Sequence, residues 1–333
     1  MNGRLGRILI MRTVDIEGAK IDKPAFRVMR IAICCLLFIC PAILIAQNRC
    51  LTAVSGNWKS DGSVVGGCAV HEDIVLVGSA SASRATMCIY RAQADTLAWV
   101  SEKPVSLAPY TQPGAMQFWD GWLFIGADDP KTRKDGRIMV FDMRTASAVS
   151  APPVFTLVRD GEKNFSMAQA VAVADRGDHL LIAIASEDCV TIEFFISNGK
   201  DPSAKGFDLT RWCQWDSRTA KRKKWSDSDW QTYRSLALNS TDGIVRLHAL
   251  GTDRKGKTVL DTYRIEPKED IFTLMVKEGT RTIEVPNADE PEQAFGICLG
   301  DDALPLVLWA RKSGKVLRLG VAGEAKTYPI PTK

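Results

Sequence analysis

The sequence predicts an all-β protein, a β-propeller most simply read with five blades. One pattern recurs along the chain: an apolar strand, a tight polar turn and a second apolar strand. A third strand follows several copies, and no amphipathic helix of four turns is found between them. Repeated hairpins of this kind are typical of blades packed around a common axis.

The five copies of the hairpin are spaced regularly through the chain. They lie at 67–80, 115–128, 170–185, 236–251 and 295–310. Asp, Gly and Asn supply the turns because these residues tolerate the backbone angles that a hairpin requires. The third strands are MCIYRA, RIMVFDM, TIEFFIS, VLDTYRI and VLRLGVA. A sixth blade hidden in 47–66 or 200–232 is one alternative, and a β-sandwich or a pair of small β domains is another.

The first 46 residues differ from the rest. Residues 31–46 form an uncharged apolar run that follows Arg27 and Arg30 and ends in Leu-Ile-Ala. A positively charged N-terminal region, a short apolar segment and a small residue at the cleavage site are typical of a signal peptide. The alternative is an uncleaved anchor, although the run is shorter than a spanning helix needs. We therefore expect a signal peptide at 1–46 and the propeller domain at 47–333. The domain is expected to be secreted or extracytoplasmic, with the cell surface as the alternative location.

The net charge argues against nucleic acid as a partner. The chain carries a net charge of +4, and the seven basic and three acidic residues of 1–46 account for all of it. The predicted domain is therefore neutral and lacks the overall basic charge of nucleic-acid-binding proteins. The expected partners are a glycan or an extracellular protein, with membrane contact only through an uncleaved N-terminal segment.

Cysteines and short motifs give further expectations. An even number of cysteines in an exported domain favours disulfides, and the preferred pairs are Cys68–Cys88, Cys189–Cys213 and Cys50–Cys298. Buried free thiols are the alternative. Asn164 and Asn239 begin glycosylation sequons. The chain has three histidines and no Cys-x-x-Cys, so neither a metal site nor a cofactor is expected.

Residues 211–230 have the most unusual composition of the chain. They hold four tryptophans and the basic run KRKK. Flat aromatic faces and cations suit a sugar or an anionic glycan. The candidate ligand-binding residues are Trp212, Trp215, Arg222, Trp225 and, further on, Arg234. Two core tryptophans beside a solvated hairpin tip are the alternative.

The stretch CIYRAQADTLAWVSEKPVSL (88–107) resembles the Asp-box turn of sialidase-type blades, with Asp95 and Trp99 near their places. HEDIVLVGSASASR (71–84) is similar to a run in trans-sialidase-like propellers, and the likeness covers 64–145. It implies a propeller. It carries no catalytic residue, because the nearest match to the first catalytic arginine motif, Phe26-Arg27-Val28-Met29, lies in the signal segment.

These observations favour a non-catalytic, sialidase-like propeller that binds a glycan or a protein. The alternatives are an active glycosidase or trans-sialidase-type enzyme with a diverged site and a protein-interaction scaffold. Several arginines around one anion site, beside a carboxylate and a tyrosine, would indicate an enzyme. Exposed tryptophans over shallow pockets would indicate a lectin-like module, and a broad apolar rim would indicate a scaffold.

Overall fold

The protein is described by a computed structural model. The described residues are 54–93, 96–144, 151–161, 166–186, 189–227, 229–266, 274–285, 293–299 and 305–324, with the side chains of 323 and 324 excepted. All of them belong to the unit Pro41–Lys333. Within this part of the chain, no helix has the length and hydropathy that a membrane crossing requires.

The described residues form five antiparallel blades of four strands. After β1 (Val54–Asn57), blade 1 contains β2 (Ser63–His71), β3 (Ile74–Ala80), β4 (Arg84–Gln93) and β5 (Thr96–Leu107). Blade 2 contains β6 (Gln112–Trp119), β7 (Trp122–Asp128), β8 (Gly136–Asp142) and β9 (Phe155–Arg159). Blade 3 contains β10 (Ala170–Asp175), β11 (Leu180–Ala185), β12 (Thr191–Ser197) and β13 (Leu209–Asp216).

The remaining strands build the last two blades. Blade 4 contains β14 (Thr232–Thr241), β15 (Ile244–Thr252), β16 (Thr258–Ile265) and β17 (Met275–Glu284). Blade 5 contains β18 (Gln293–Leu299), β19 (Pro305–Ser313) and β20 (Val316–Val321), with β1 as its outer strand. The short strand β21 (Gly323–Glu324) pairs with the outer edge of blade 4.

The turns between paired strands follow from the residues that occupy them. Trp119 pairs with Trp122, and the two turn residues, Asp120 and Gly121, have φ of 47° and 76°. Asp242 and Gly243 join β14 to β15 with φ of 52° and 75°. Positive φ at both central residues matches the right-handed twist of the flanking strands. The predicted hairpins of 115–128 and 236–251 are confirmed.

The ring closes through its two chain ends. β1 pairs antiparallel with β20, from Val54 opposite Leu319 to Asn57 opposite Val316. Blade 5 is thus built from one N-terminal and three C-terminal strands. Its inner strand β18 runs parallel to β2, the inner strand of blade 1. A side chain at Gly296 would lie 1.8 Å from the carbonyl oxygen of Cys68, so only glycine allows this close approach.

Each interface between neighbouring blades has its own apolar core. The described residues contain five buried clusters, between blades 1 and 2, 2 and 3, 3 and 4, 4 and 5, and 5 and 1. Gln117 crosses from β6 to its neighbours: Nε2 donates to Val173 O and Leu238 O, and Oε1 accepts from both amide groups, all at 2.9–3.0 Å. The buried amide thereby ties three inner strands together.

The propeller prediction is confirmed, with five blades. In the described residues, neither stretch considered for a sixth blade forms one, because 54–66 supplies β1 to blade 5 and 200–232 supplies β13 to blade 3. A β-sandwich is excluded, since blades 1 to 5 follow one another around a ring. The predicted signal segment, Cys50, Asn164 and Asp95 lie outside the described residues.

Two predicted disulfides are wrong. Cys68, Cys88 and Cys213 are free thiols, which removes both Cys68–Cys88 and Cys189–Cys213. Val77 on β3 pairs with Cys68 on one side and Cys88 on the other, so the two cysteines stand two strands apart. That separation is about 10 Å, beyond the Cα distance that a disulfide spans. Burial raises the pKa of the Cys88 thiol to about 12.

Candidate functional site

A polar cleft of about 670 Å³ opens between the outer strands of blades 2 and 3. β9 lines one wall, and β12 and β13 line the other. Eight polar residues line the cleft: Arg159, Asp160, Ser166, Glu193, Arg211, Gln214, Asp216 and Arg218. Exposed and half-buried positions alternate over Phe155–Val158 of β9, because successive side chains of a strand point to opposite faces of the sheet.

Glu193 is the central carboxylate of the cleft. It lies on β12, where it is the one charged residue of a buried strand, and two guanidinium groups hold it. Arg159 donates to one carboxylate oxygen, and Nε of Arg211 lies 3.0 Å from the other. Arg159 is buried and also donates to Met167 O, whereas Arg211 is half exposed. Glu193 is therefore the shared partner of two arginines.

Asp128 lies behind Arg159, at the end of β7. Its Oδ1 accepts a hydrogen bond of 2.5 Å from Ala168 N, which fixes the segment that brings Ser166 to the cleft. Burial raises the pKa of Asp128 to about 7, although the Ala168 amide and the charge of Arg159 oppose this shift. The side chain is 1% exposed, so Asp128 supports the cleft from within.

Asp216 and Arg218 form the opposite wall at the end of β13. Two guanidinium nitrogens of Arg218 bond to the Asp216 carboxylate at 2.5–3.2 Å. These hydrogen bonds lower the pKa of Asp216. The Arg218 side chain keeps 61% of its surface exposed. The pair thus presents a fixed carboxylate and an accessible guanidinium edge to a ligand.

An apolar strip completes the cleft. Leu157 and Val158 come from β9, and Phe195 comes from β12. Val158 is 55% exposed, while Phe195 is packed into the core between blades 2 and 3. Among the residues that line the cleft there is no tyrosine, so the set of arginines, carboxylate and tyrosine expected of a sialidase is incomplete here.

Three predicted tryptophans do not form one binding surface. Trp215 and Trp225 are buried between blades 3 and 4, with Trp230 packed against both. The ring centroids of Trp215 and Trp230 are 4.6 Å apart. Trp212 is 38% exposed and contacts Phe194 edge-on. Of the three predicted, only Trp212 offers a surface to solvent.

The two predicted arginines lie apart from the cleft. Arg222 stacks over Trp225, with the guanidinium 5.2 Å from the ring centroid, and donates to Ser217 O. Arg234 is exposed on β14 and borders a small recess with Thr252 and Phe295. The segment predicted for binding does reach the cleft, but through residues that the sequence interpretation did not select: Arg211, Gln214, Asp216 and Arg218.

Arg159 and Glu193 were missed because no local pattern links them. They lie on strands of different blades and meet only after the blades pack. The one available signal was a lone charge in a strand that otherwise reads as buried, as Glu193 does in TIEFFIS. Asn239, predicted as a glycosylation site, lies half buried in β14 opposite Arg246.

A second polar cluster is sealed inside blade 4. Tyr233, Tyr263, Asp261 and Lys277 are fully buried, and the two tyrosine hydroxyls lie 2.5 Å apart. Lys277 Nζ lies 2.9 Å from Asp261 and 2.8 Å from Asp227, which belongs to the segment joining β13 to β14. Burial raises the pKa of Asp261, with the charge of Lys277 opposing this shift. The cluster is inaccessible to a ligand and acts as an anchor.

Within the described ranges, no group of three His, Cys, Asp or Glu side chains is arranged to hold a metal ion.

No family model matches the sequence, and no curated protein matches it. Solved structures similar to the chain include a GH43 endo-arabinanase from Bacillus licheniformis, at TM-score 0.48 and 10% identity, over 80% of this chain and 96% of that one. A hypothetical protein from Leishmania major has TM-score 0.45 and 13% identity, over 83% and 91%. At these values the assignment of the fold depends on the strand order described above.

Proposed function

We propose that this chain is an exported β-propeller that binds a glycan in the cleft between blades 2 and 3 without cleaving it. The observation that carries the proposal is the composition of the cleft, where planar polar groups stand beside an apolar strip. Sugar hydroxyls are bound by such side chains, which donate and accept in pairs, while the apolar ring face covers the strip. The predicted signal segment supports export.

The charges of the cleft favour binding over hydrolysis. Three arginines and three carboxylates, those of Asp160, Glu193 and Asp216, line it. A general acid in a glycosidase needs a carboxyl with a raised pKa beside the bond to be cleaved. Arginines bind both Glu193 and Asp216, and the pKa of Asp216 is lowered. Asp128, whose pKa burial raises, lies buried behind the cleft.

A glycan array tests the binding. We expect the wild-type protein to bind a defined set of glycans and Arg211→Ala to lose about tenfold in affinity for them, because one or two charge-assisted hydrogen bonds disappear. Arg246→Ala is the matched control, since Arg246 also pairs with a carboxylate, Glu278 at 2.8 Å, but on blade 4. It should bind like the wild type.

Three results would contradict the proposal. One is the absence of glycan binding, which would favour a protein-interaction scaffold. The second is turnover of fluorogenic glycosides, sialosides included, that Glu193→Gln abolishes, which would make Glu193 a catalytic group. Equal losses in Arg211→Ala and Arg246→Ala would show that the cleft has no special role.

A further inference from the structure

In two segments of blades 3 and 4, four exposed lysines and the neighbouring carboxylates do not pair with each other. The segment 217–231 joins β13 to β14, and the turn 253–257 joins β15 to β16. Four exposed lysines define what we call the basic rim: Lys223, Lys224, Lys255 and Lys257. In the part of the chain that the structure describes, none of the four has a carboxylate within 4 Å.

The acidic residues beside the rim bind groups other than the side chains of the rim lysines. Asp227 accepts from Lys277 at 2.8 Å and from the Thr280 hydroxyl at 3.1 Å. Asp253 accepts from the backbone amides of Lys255 and Lys257 at 2.9 and 2.8 Å. These carboxylates hold the segments in shape and form no ion pair with the rim lysines. The two segments together carry eight basic and three acidic residues, so a domain of zero net charge presents a local positive surface here.

The rim is also held in position before any ligand arrives. Trp225 Nε1 donates to Met275 O at 2.8 Å, and Ser226 N donates to Lys277 O at 3.0 Å. Arg254 lies 3.8 Å from Asp229, which brings the turn 253–257 against the segment 217–231. Binding to this surface therefore requires little additional ordering of the backbone.

We infer that the basic rim binds the carboxylate or sulfate groups of an anionic polysaccharide whose chain enters the cleft between blades 2 and 3. The inference depends on the proposed function. Arg218 connects the two surfaces, since it lines the cleft and lies in the segment that carries Lys223 and Lys224. Lysine is a compact, mobile charge suited to a repeated anion along a chain.

The tryptophans of this segment disfavour single-stranded nucleic acid as the ligand. Proteins that bind it stack bases on exposed aromatic rings beside a basic groove. Trp225 is buried under Arg222, and Trp230 packs edge-on against Tyr233 in the core. The rim thus combines exposed cations with aromatic rings that are turned inward, which leaves electrostatic attraction to a polyanion as its means of binding.

The experiment compares polygalacturonate with its fully methyl-esterified, neutral form by titration calorimetry on the full chain. We expect the acidic polymer to bind more tightly, with an advantage that shrinks as salt is raised, because exposed charges are screened. The double variants Lys223→Ala/Lys224→Ala and Lys255→Ala/Lys257→Ala should each weaken binding of the acidic polymer about fivefold. Binding of the neutral polymer should not change.

Lys131→Ala/Lys134→Ala removes two exposed lysines from a turn of blade 2 and is the matched control, expected to bind both polymers normally. Equal affinity for both polymers, with no effect of the rim variants, would contradict anion binding by the basic rim but not glycan binding by the cleft. Loss of binding of both polymers in Arg211→Ala would independently support the cleft as the glycan-binding site. Binding of neither polymer would count against both proposals for this class of glycan. Equally tight binding of polyglutamate would show that charge alone is recognised and would also overturn the inference.

Discussion

Lys277 provides the sharpest test of how the structure is held together. Its side chain is fully buried, and its ammonium group contacts the buried Asp261, Asp227 and the carbonyl oxygen of Asp229. Lys277→Met keeps the apolar length and removes the charge, so Asp261 is left buried without its cation. Breaking one side of a buried ion pair costs about 3–5 kcal/mol. We expect a loss of that size in the free energy of unfolding, measured by urea denaturation.

The same variant should release the segment 217–231. That segment contains five trypsin sites, at Arg218, Lys221, Arg222, Lys223 and Lys224, and Lys277 binds it at two points. We expect trypsin to cleave the native Lys277→Met protein there faster than the wild type, because local opening becomes easier.

Arg254→Met is the control for this test. It removes the exposed contact of 3.8 Å with Asp229 and should cost less than about 1 kcal/mol. Adding Asp261→Asn to Lys277→Met should destabilise by roughly 2 kcal/mol less than the sum of the single effects, since the two residues share one interaction. A loss below about 1 kcal/mol in Lys277→Met, together with an unchanged cleavage rate, would refute the reasoning.

Two further predictions concern pH and the centre of the ring. Because the folded pKa of Asp128 is raised to about 7, its contribution to stability is present at low pH and falls by up to about 4 kcal/mol as pH rises from about 4 to 7. The pKa of His248 is lowered to about 4, chiefly by burial, so its contribution is present at neutral pH and falls as pH drops through 6.5 towards 4. Relative to the wild type, Asp128→Asn should therefore become more stable as pH rises, whereas His248→Gln should become less stable. The urea midpoints of all three proteins are measured at pH 4, 5.5 and 7. If the three midpoints change by the same amount with pH, both predictions are contradicted. Gln117→Leu leaves four backbone groups of β10 and β14 without their partner and should lower the free energy of unfolding by at least about 3 kcal/mol. The control, Gln112→Leu at an exposed position, should lower it by less than about 0.5 kcal/mol. Equal denaturation midpoints of the two variants would show that the Gln117 amide is dispensable.

The inner part of each blade could be predicted from sequence because it depends on local chemistry. An apolar run on each side of Asp-Gly, as in 115–128, specifies both the strands and the turn that joins them. The outer strands were harder to recognise. β9 has only five residues, FTLVR, of which the first four alternate between half-buried and exposed positions, and such a short pattern is common in loops. The four residues of β1 become a strand only because β20 offers them an edge.

The cleft could not be predicted for a related reason. Arg159 and Glu193 are far from one another in sequence and on different blades, so their contact depends on how far each outer strand turns. The tryptophans of 211–230 were prominent in composition, yet most of them fill the gap between blades 3 and 4. Composition identified the right segment, whereas burial decided which of its side chains face solvent.

The stretch that resembles an Asp box has a structural role that its position makes clear. Thr96 and Leu97 of this stretch pair in parallel with Ser55 and Gly56 of β1, the strand that closes the ring. A side chain at Gly56 would lie 2.3 Å from the carbonyl oxygen of Leu97, so the two strands touch through backbone. Trp99, further along β5, packs edge-on against Tyr90 at 5.3 Å. The contacts of this stretch therefore join blade 1 to the closing strand of blade 5, which is a structural role.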